Sequence, residues 1–483
     1  MSTSLPIRRI ALLITGLICG SYVAHSATTA WPQFRGVEGR SLATADAKPP
    51  VQFGPSSNVL WKIEIPAGHS SPCIWGDRIF LTALDNGKLE TLCLDRVSGK
   101  LLWSVEAPAQ KAEPTHRISN PAASTPLTDG TRVYVYFGSY GLLAYDLEGK
   151  PLWSHPLNTP MTEFGSGTSP VLAEQYLILN RDGDINSTLL AVDKLTGKTA
   201  WETDRSEFRR GFATPFVWKS GARTEIVVPG SLALKSYDAK SGKELWMARG
   251  FARVANASPT SGDGLLILSS WNVGGDSDDR VTMEPADAFF TQYDKDKDGL
   301  LTREEFPPGV VLDRFTQIDL NKDGKVTREE YENMRMMFNK AENSLLAIKP
   351  GGKGDITESH VVWKQSRALP YVSSPLWYDG RVYAIKSGGL ASCYDAKTGA
   401  IHYQAERINA PGDYYASAIG AGGAVYFISQ NGIVTVIAAG DELKILSQNK
   451  MEEQIFSSPA VIGDTLYLRT ATKLYAFRNS PLN

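Results

Sequence analysis

Two stretches of the chain space their oxygen-bearing side chains in one pattern. Asp294, Asp296, Asp298 and Glu305 occupy positions 1, 3, 5 and 12 of a twelve-residue segment, with Gly299 at position 6 and Leu301 at position 8. Asp319, Asn321, Asp323 and Glu330 repeat the pattern, with Gly324 and Val326 in the matching places. A hard dication takes about six to eight oxygens, so three short side chains and one backbone carbonyl wrap it while the last glutamate closes the shell with two oxygens. The carbonyls would be those of Leu300 and Lys325, and Thr302 and Thr327 would act at position 9 through water. The chemistry implied is capture of Ca²⁺ at two sites.

Such loops must be held between helices. Aromatic and apolar residues at Phe289, Phe290 and Tyr293, and at Phe315 and Ile318, mark the entering helices. An exiting helix over residues 329–342 would carry Tyr331, Met334, Met337 and Phe338 along one face. Pro307-Pro308 should cut the first exiting helix short. Leu301 and Val326 would pair across the two loops. These residues resemble an EF-hand pair.

The rest of the chain repeats a different sentence. Ala191-Val-Asp193-Lys-Leu-Thr-Gly197-Lys-Thr-Ala-Trp201 has counterparts at Asp95…Gly99…Trp103, Asp146…Gly149…Trp153, Asp238…Gly242…Trp246 and Asp395…Gly399…Tyr403. Each reads as a β-hairpin in which Asp bonds its own backbone and Gly supplies the positive φ that closes the turn. The aromatic residue falls on the following strand, where a flat indole suits the gap between radially arranged sheets.

A second marker sets the number of units. Ser/Thr-Pro dipeptides end at Pro72, Pro126, Pro170, Pro215, Pro259, Pro375 and Pro459, and Ser417-Ala418 fills one further slot. Proline fits the first residue of a strand, where no ladder N–H is required. Eight markers predict an all-β fold, an eight-bladed β-propeller of four-stranded antiparallel blades. The last unit ends at Phe477 without an outer strand, while Asn58–Ile65 (Asn-Val-Leu-Trp-Lys-Ile-Glu-Ile) lacks a blade. Pairing the two closes the ring and removes exposed edges. The long interval from Pro259 to Pro375 holds the α-helical EF-hand pair, inserted in blade five. The expected divisions are an export signal at 1–26, a lead-in at 27–57 packed over the ring, propeller at 58–271, the insert at 272–342 and propeller again at 343–483.

The repeat resembles that of pyrroloquinoline-quinone-type propellers. This group includes quinoprotein alcohol dehydrogenases and the cofactor-free outer-membrane assembly propeller of Gram-negative bacteria. Trp31-Pro-Gln-Phe-Arg-Gly36, with Gly68-His-Ser-Ser-Pro72, resembles a group of exported bacterial propellers. The dehydrogenases stack their quinone on a disulfide of adjacent cysteines and ligate calcium with a Glu/Asn/Asp trio. This chain has no Cys-Cys pair, and the trio has no identifiable counterpart.

Net charge is −2, so no global basic field points to nucleic acid. Arg8-Arg9, an apolar run over residues 10–20 and Ala24-His-Ser26 read as an export signal. The mature chain is therefore expected in the periplasm or secreted, as a monomer without a membrane span. Cys73 and Cys93 should lie on strands two apart in one blade. That separation of roughly 9.5 Å is beyond bridging distance. With Cys393 in another blade, all three should be buried free thiols.

Segments linking one blade to the next share a face with the insert. Their polar residues are His69, Arg117, Asn120, Glu163, Arg210, Arg253, Asn256, Arg367, Tyr371, Tyr415 and Glu453. Convergence at the ring's mouth would make a concave site of mixed charge with aromatics. The favoured reading is a scaffold that binds a protein or polymer there. The alternative is a dehydrogenase dependent on pyrroloquinoline quinone, and a third reading uses His69 and Glu163 as acid and base.

The first loop carries four carboxylates and the second three, with Lys325 beside them, so the first is expected to bind Ca²⁺ more tightly. Calorimetric titration of Glu305→Gln and Glu330→Gln variants checks the ranking, with affinities of about 10⁻⁴–10⁻³ M for a structural module. Glu305→Gln should abolish the tighter event; equal losses contradict it.

Overall fold

The computed structural model describes residues 30–221, 223–275 and 280–479. The expected export signal lies outside them. The alternating apolar runs form eight blade sheets. In blade 3, Val171–Ala173, Tyr176–Arg181, Thr188–Asp193 and Thr199–Asp204 run antiparallel in chain order from the axis outward. The two middle strands are buried on both faces because neighbouring blades cover them; the outer strand alternates exposed with half-buried residues.

Turn chemistry sets each hairpin. Asp193 Oδ1 accepts the backbone N–H of Leu195 and Thr196, and Gly197 follows at φ +72°. The same oxygen-to-amide contact recurs at Asp95, Asp238 and Asp395.

The outer-strand indole then joins one blade to the next. Trp153 donates from Nε1 to the carbonyl of Lys194, the residue after the turn aspartate of the following blade, and its ring covers Gly197. Trp103 meets Leu147 and Gly149 in this way, Trp201 meets Ala239 and Gly242, and Trp363 meets Ala396 and Gly399. Glycine is required because a Cβ at Gly197 would stand 2.7 Å from the indole. Trp246 departs from the rule, since blade 5 has no such turn. Its Nε1 donates to Glu225, and the short strand Gly354–Asp355 adds in parallel beside it as a fifth strand of blade 4.

Closure follows the expected path. Val59–Glu64 pairs antiparallel with Lys473–Phe477 as the outer strand of blade 8. Trp61 then bonds the Arg96 carbonyl and covers Gly99 of blade 1, so the seam uses the same contact as the joints made by Trp103, Trp153, Trp201 and Trp363.

The lead-in is not packed over the ring; it enters it. Ala30–Trp31 pairs antiparallel with Cys73–Trp75, the innermost strand of blade 1, at the centre of the ring. Arg35 is buried there, donating to the carbonyls of Pro259 and Pro375 on blades 5 and 6. The chain then leaves across blades 7 and 8, where Leu42 bridges Gly420 and Lys48 N–H donates to Asp464. Burial of Trp31 and the backbone acceptors offered to Arg35 favour threading over surface packing.

Blade 5 is interrupted between its second strand, Leu265–Ser270, and its third, Ser344–Ile348. The insert carries helices α1 (Ala286–Tyr293), α2 (Phe315–Ile318) and α3 (Arg328–Lys340). α3 starts with a reciprocal cap in which Thr327 accepts from Glu330 N–H and Glu330 accepts from Thr327 N–H. No exiting helix runs from the end of the first loop to Pro307-Pro308 among the described residues, a stronger effect of the prolines than the shortening expected. Cys73, Cys93 and Cys393 are buried free thiols, with Phe80 between the first two.

Gly197→Ala is predicted to destabilise more than Gly264→Ala, whose added Cβ meets nothing within 4 Å at a similar φ of +77°. The control carries only the left-handed strain of about 1–2 kcal/mol. The joint variant adds a clash of about 1–3 kcal/mol. Urea unfolding midpoints check this; equal shifts contradict the role of the indole contact.

Candidate functional site: the mouth of the ring

The segments that link one blade to the next, together with the insert, surround a cavity of about 280 Å³ at the ring's mouth. Its inner wall is built by the marker residues. Ser71 N–H donates to Thr125 Oγ1, Thr125 to Ser169, Ser169 to Thr214 and Thr214 to Ser258. Ser258 donates to Ser374, Ser374 to Ser417, Ser417 to Ser458, and Ser458 back to Ser71. The eight bonds, 2.8–3.2 Å long, form a closed belt with one hydroxyl residue per blade. Phe34 of the threaded lead-in lines the cavity from below.

Strand alternation places a second ring above the belt. The residue two before each marker hydroxyl lines the cavity: His69, Ala123, Gly167, Phe212, Asn256, Val372, Tyr415 and Phe456. Phe164, Tyr371, Arg210, Arg253 and, from the insert, Gln317 complete the wall. His69 and Tyr415 both stack on Phe456, with centroids 4.1 and 5.8 Å away. Tyr371 meets Trp271 edge-on at 5.7 Å, and its Asn256 neighbour donates to the Tyr371 carbonyl.

The expected polar face is therefore brought together only in part. His69, Arg210, Arg253, Asn256, Tyr371 and Tyr415 line the cavity, whereas Arg117, Asn120, Glu163, Arg367 and Glu453 do not. Asn120 caps its own loop by accepting from Ala122 N–H. Glu163 lies 3.5 Å from Arg210, and Glu453 holds Thr470, Thr472 and Lys473 in blade 8. The sequence reading missed Phe34, Phe164, Phe212, Phe456 and Gln317. Counting two residues back from each Ser/Thr-Pro finds Phe212 and Phe456.

Charge in the mouth is one-sided. Among the described residues no aspartate or glutamate lines the cavity. Burial, with Arg469 nearby, pushes His69 down to about 3, so its imidazole is neutral at neutral pH. Arg210 is buried and paired to Asp184 at 2.5 Å. Arg253 has no carboxylate partner among the described residues: Nη1 donates to Gln317 at 3.3 Å, and the solvent-shielded Nε has no acceptor. Burial, with Arg314 and Arg210 close by, lowers its guanidinium to about 10. The acid–base pairing of His69 with Glu163 has no support in this geometry.

The insert also holds the two acidic loops. Gly299 N–H donates to Asp294 Oδ2 and Gly324 N–H to Asp319 Oδ2, each at 3.0 Å. Leu301 and Val326 pair as a two-residue sheet between the loops. The second carboxylate oxygens, Asp294 Oδ1 and Asp319 Oδ1, are shielded from solvent and have no partner. An inward-turned, unpartnered carboxylate oxygen at position 1 fits a bound cation. Asp294, Asp296 and Glu305 already bring one oxygen each to within 4.8 Å of one another. Lys325 reaches back to Asp298 of the first loop at 3.2 Å.

The family model described as outer membrane protein assembly factor BamB matches residues 51–220, 186–299 and 330–480. The chain belongs to this family. An EF-hand model matches residues 312–336, over the second acidic loop. No curated protein matches the chain by sequence. Among solved structures, BamB from Moraxella catarrhalis is similar at TM-score 0.56 and 13% identity, over 88% of this chain and 99% of that one. A europium-containing methanol dehydrogenase aligns at TM-score 0.58 and 8% identity, over 94% and 99%. The quinohemoprotein alcohol dehydrogenase ADHIIG from Pseudomonas putida HK5 aligns at 0.55 and 11%, over 94% and 81%. At these identities the likeness is one of fold, and what this BamB-family member does rests on its own mouth and insert.

Proposed function

We propose that this protein is an exported, calcium-binding propeller scaffold that recognises a protein partner at the mouth of the ring. One observation carries the reading: among the described residues the cavity presents aromatic rings, hydroxyls and a guanidinium without an acidic partner, and no carboxylate lines it. Such a wall recognises but offers no general base. Dehydrogenation at a bound quinone needs a group to take the alcohol proton. His69, the one imidazole among the described wall residues, is stacked on Phe456 and pushed by burial down to about 3, too weak a base to hold that proton at neutral pH. The likeness to a BamB structure adds support for a protein partner.

Calcium enters through the insert. The two acidic loops would hold one ion each, with Asp294, Asp296, Asp298, Leu300, Thr302 and Glu305 serving the first. Asp319, Asn321, Asp323, Lys325, Thr327 and Glu330 would serve the second. Ion binding would fix α2, and with it Gln317, against the mouth. The segment at 1–26 would deliver the chain to the periplasm or beyond. Among the described residues no helix is long and apolar enough to cross a membrane.

Capture from a periplasmic extract of the source cells, with Ca²⁺ and with chelator, tests the proposal. A partner should be retained by the wild-type protein with Ca²⁺ and lost by a Tyr415→Ala, Phe456→Ala double variant. Truncating buried aromatic anchors costs about 2 kcal/mol or more, a fall of about thirtyfold in affinity. Capture that ignores both calcium and these substitutions would contradict the reading. So would reduction of a dye by alcohols after quinone and Ca²⁺ are added.

A further inference from the structure

We infer that the mouth takes a carboxylate held beside an aromatic side chain, as at the C-terminus or an acidic–aromatic step of a peptide, and that Ca²⁺ at the second loop strengthens its binding. The inference rests on the scaffold reading and deepens it. The charge around the axis demands an anion. Arg35 and Arg469 are buried, and their hydrogen bonds go to carbonyls and hydroxyls rather than carboxylates. Those acceptors do not cancel charge, Arg469 Nε has none among the described residues, and burial pushes both guanidinium groups down to about 9. Arg253 adds a third cation without a carboxylate partner among the described residues, in the cavity wall; its Nη1 donates to Gln317, while Nη2 makes no hydrogen bond among those residues and is not shielded as Nε is. Low-dielectric walls concentrate such a field toward the opening. A planar guanidinium with an unused donor suits a carboxylate.

The aromatic half of the ligand follows from the rings in the wall. Phe164 and Phe212 meet edge-on at 5.8 Å, and Phe456 carries His69 and Tyr415 on its faces. A cavity of about 280 Å³ admits one or two side chains, and leaves the rest of a partner on the rim.

The calcium link is a matter of position. Gln317 accepts from Arg253 Nη1 and stands two residues before Asp319, the first ligand of the second loop. In the same loop Lys322 reaches Asp184, the partner of Arg210, at 3.6 Å. Both arginines of the mouth are thus braced by the second loop. An ion that orders this loop orders Arg253 for its ligand, and the ligand must raise calcium affinity by the same factor.

Calorimetry on the mature full chain tests this with three probes: acetyl-Gly-Phe free acid, its C-terminal amide, and acetyl-Asp-Phe amide. With Ca²⁺ present, at least one acid should bind, and the uncharged amide should be at least about tenfold weaker, the loss of one charge-assisted hydrogen bond. Which acid binds separates a terminal from a side-chain carboxylate. Arg253→Gln should weaken the acid by about tenfold while leaving calcium titration intact. Chelator should weaken it several-fold, and saturating acid should tighten calcium binding equally. Equal binding of acid and amide, no binding of either acid, or indifference to calcium would overturn the inference; the first comparison needs no variant to fold. Partner capture without acid binding would refute this inference alone, whereas acid binding without any calcium-dependent partner would refute the scaffold reading.

Discussion

A backbone N–H that reaches for the hydroxyl of the next blade, repeated until it returns to its start, is the constraint on which the rest of the ring depends. The belt from Ser71 through Ser458 spends no side chain on anything else at the axis. Each marker residue is buried, so its amide would be costly to leave unpaired. The following proline opens the inner strand without needing a donor of its own, except at Ala418 in blade 7. Outside, the indole-on-glycine contact holds five of the eight joints at the opposite edge. Blades pinned at both radii have little freedom to tilt, and the loops above them can vary without disturbing the ring.

That division of labour explains where recognition can occur. The lower end of the channel is occupied by the threaded lead-in, with Trp31 and Arg35 buried, and keeps a smaller cavity of about 240 Å³ between Gln33 and Trp218. The upper end opens onto the belt, which supplies a polar floor of fixed geometry. Whatever stands two residues before each hydroxyl faces the opening, so this register sets the chemistry of the mouth. Blades 2 and 3 contribute Ala123 and Gly167, with Phe212 of blade 4 packed against Gly167, while blades 1, 7 and 8 contribute the rings of His69, Tyr415 and Phe456. Aromatic rings therefore stand on two sides of the cavity. The insert adds a wall beside Arg253 through Gln317.

Much of this was legible in the residues because it is local. Asp–Gly turns, Ser/Thr-Pro strand starts, the orphan strand around Trp61 and the twelve-residue acidic loops each follow from neighbours along the chain. Blade count, closure and the site of the insert follow from them. What stayed hidden depends on contacts between distant segments. Nothing near Trp31 or Arg35 announces that the lead-in threads the axis, since its acceptors lie more than 200 residues away. The markers were legible as proline signals, but the hydroxyls' belt was not. Arg117, Asn120 and Glu163 look like site residues by type, yet Asn120 is spent on capping its own loop and Glu163 on Arg210, contacts that residue type does not announce. The strand Gly354–Asp355 is too short to show in any periodicity.

The account's central claim is that a rigid ring presents a mouth whose order is tuned by the calcium-holding insert. Hydrogen exchange followed by mass spectrometry, with Ca²⁺ and with chelator, tests it most directly. The account predicts that chelation speeds exchange over residues 312–340 and over the mouth segments at 209–212 and 250–256, while the inner strands that follow the hydroxyl belt stay protected. Loss of protection throughout the inner strands, or unchanged exchange at 250–256, would contradict it.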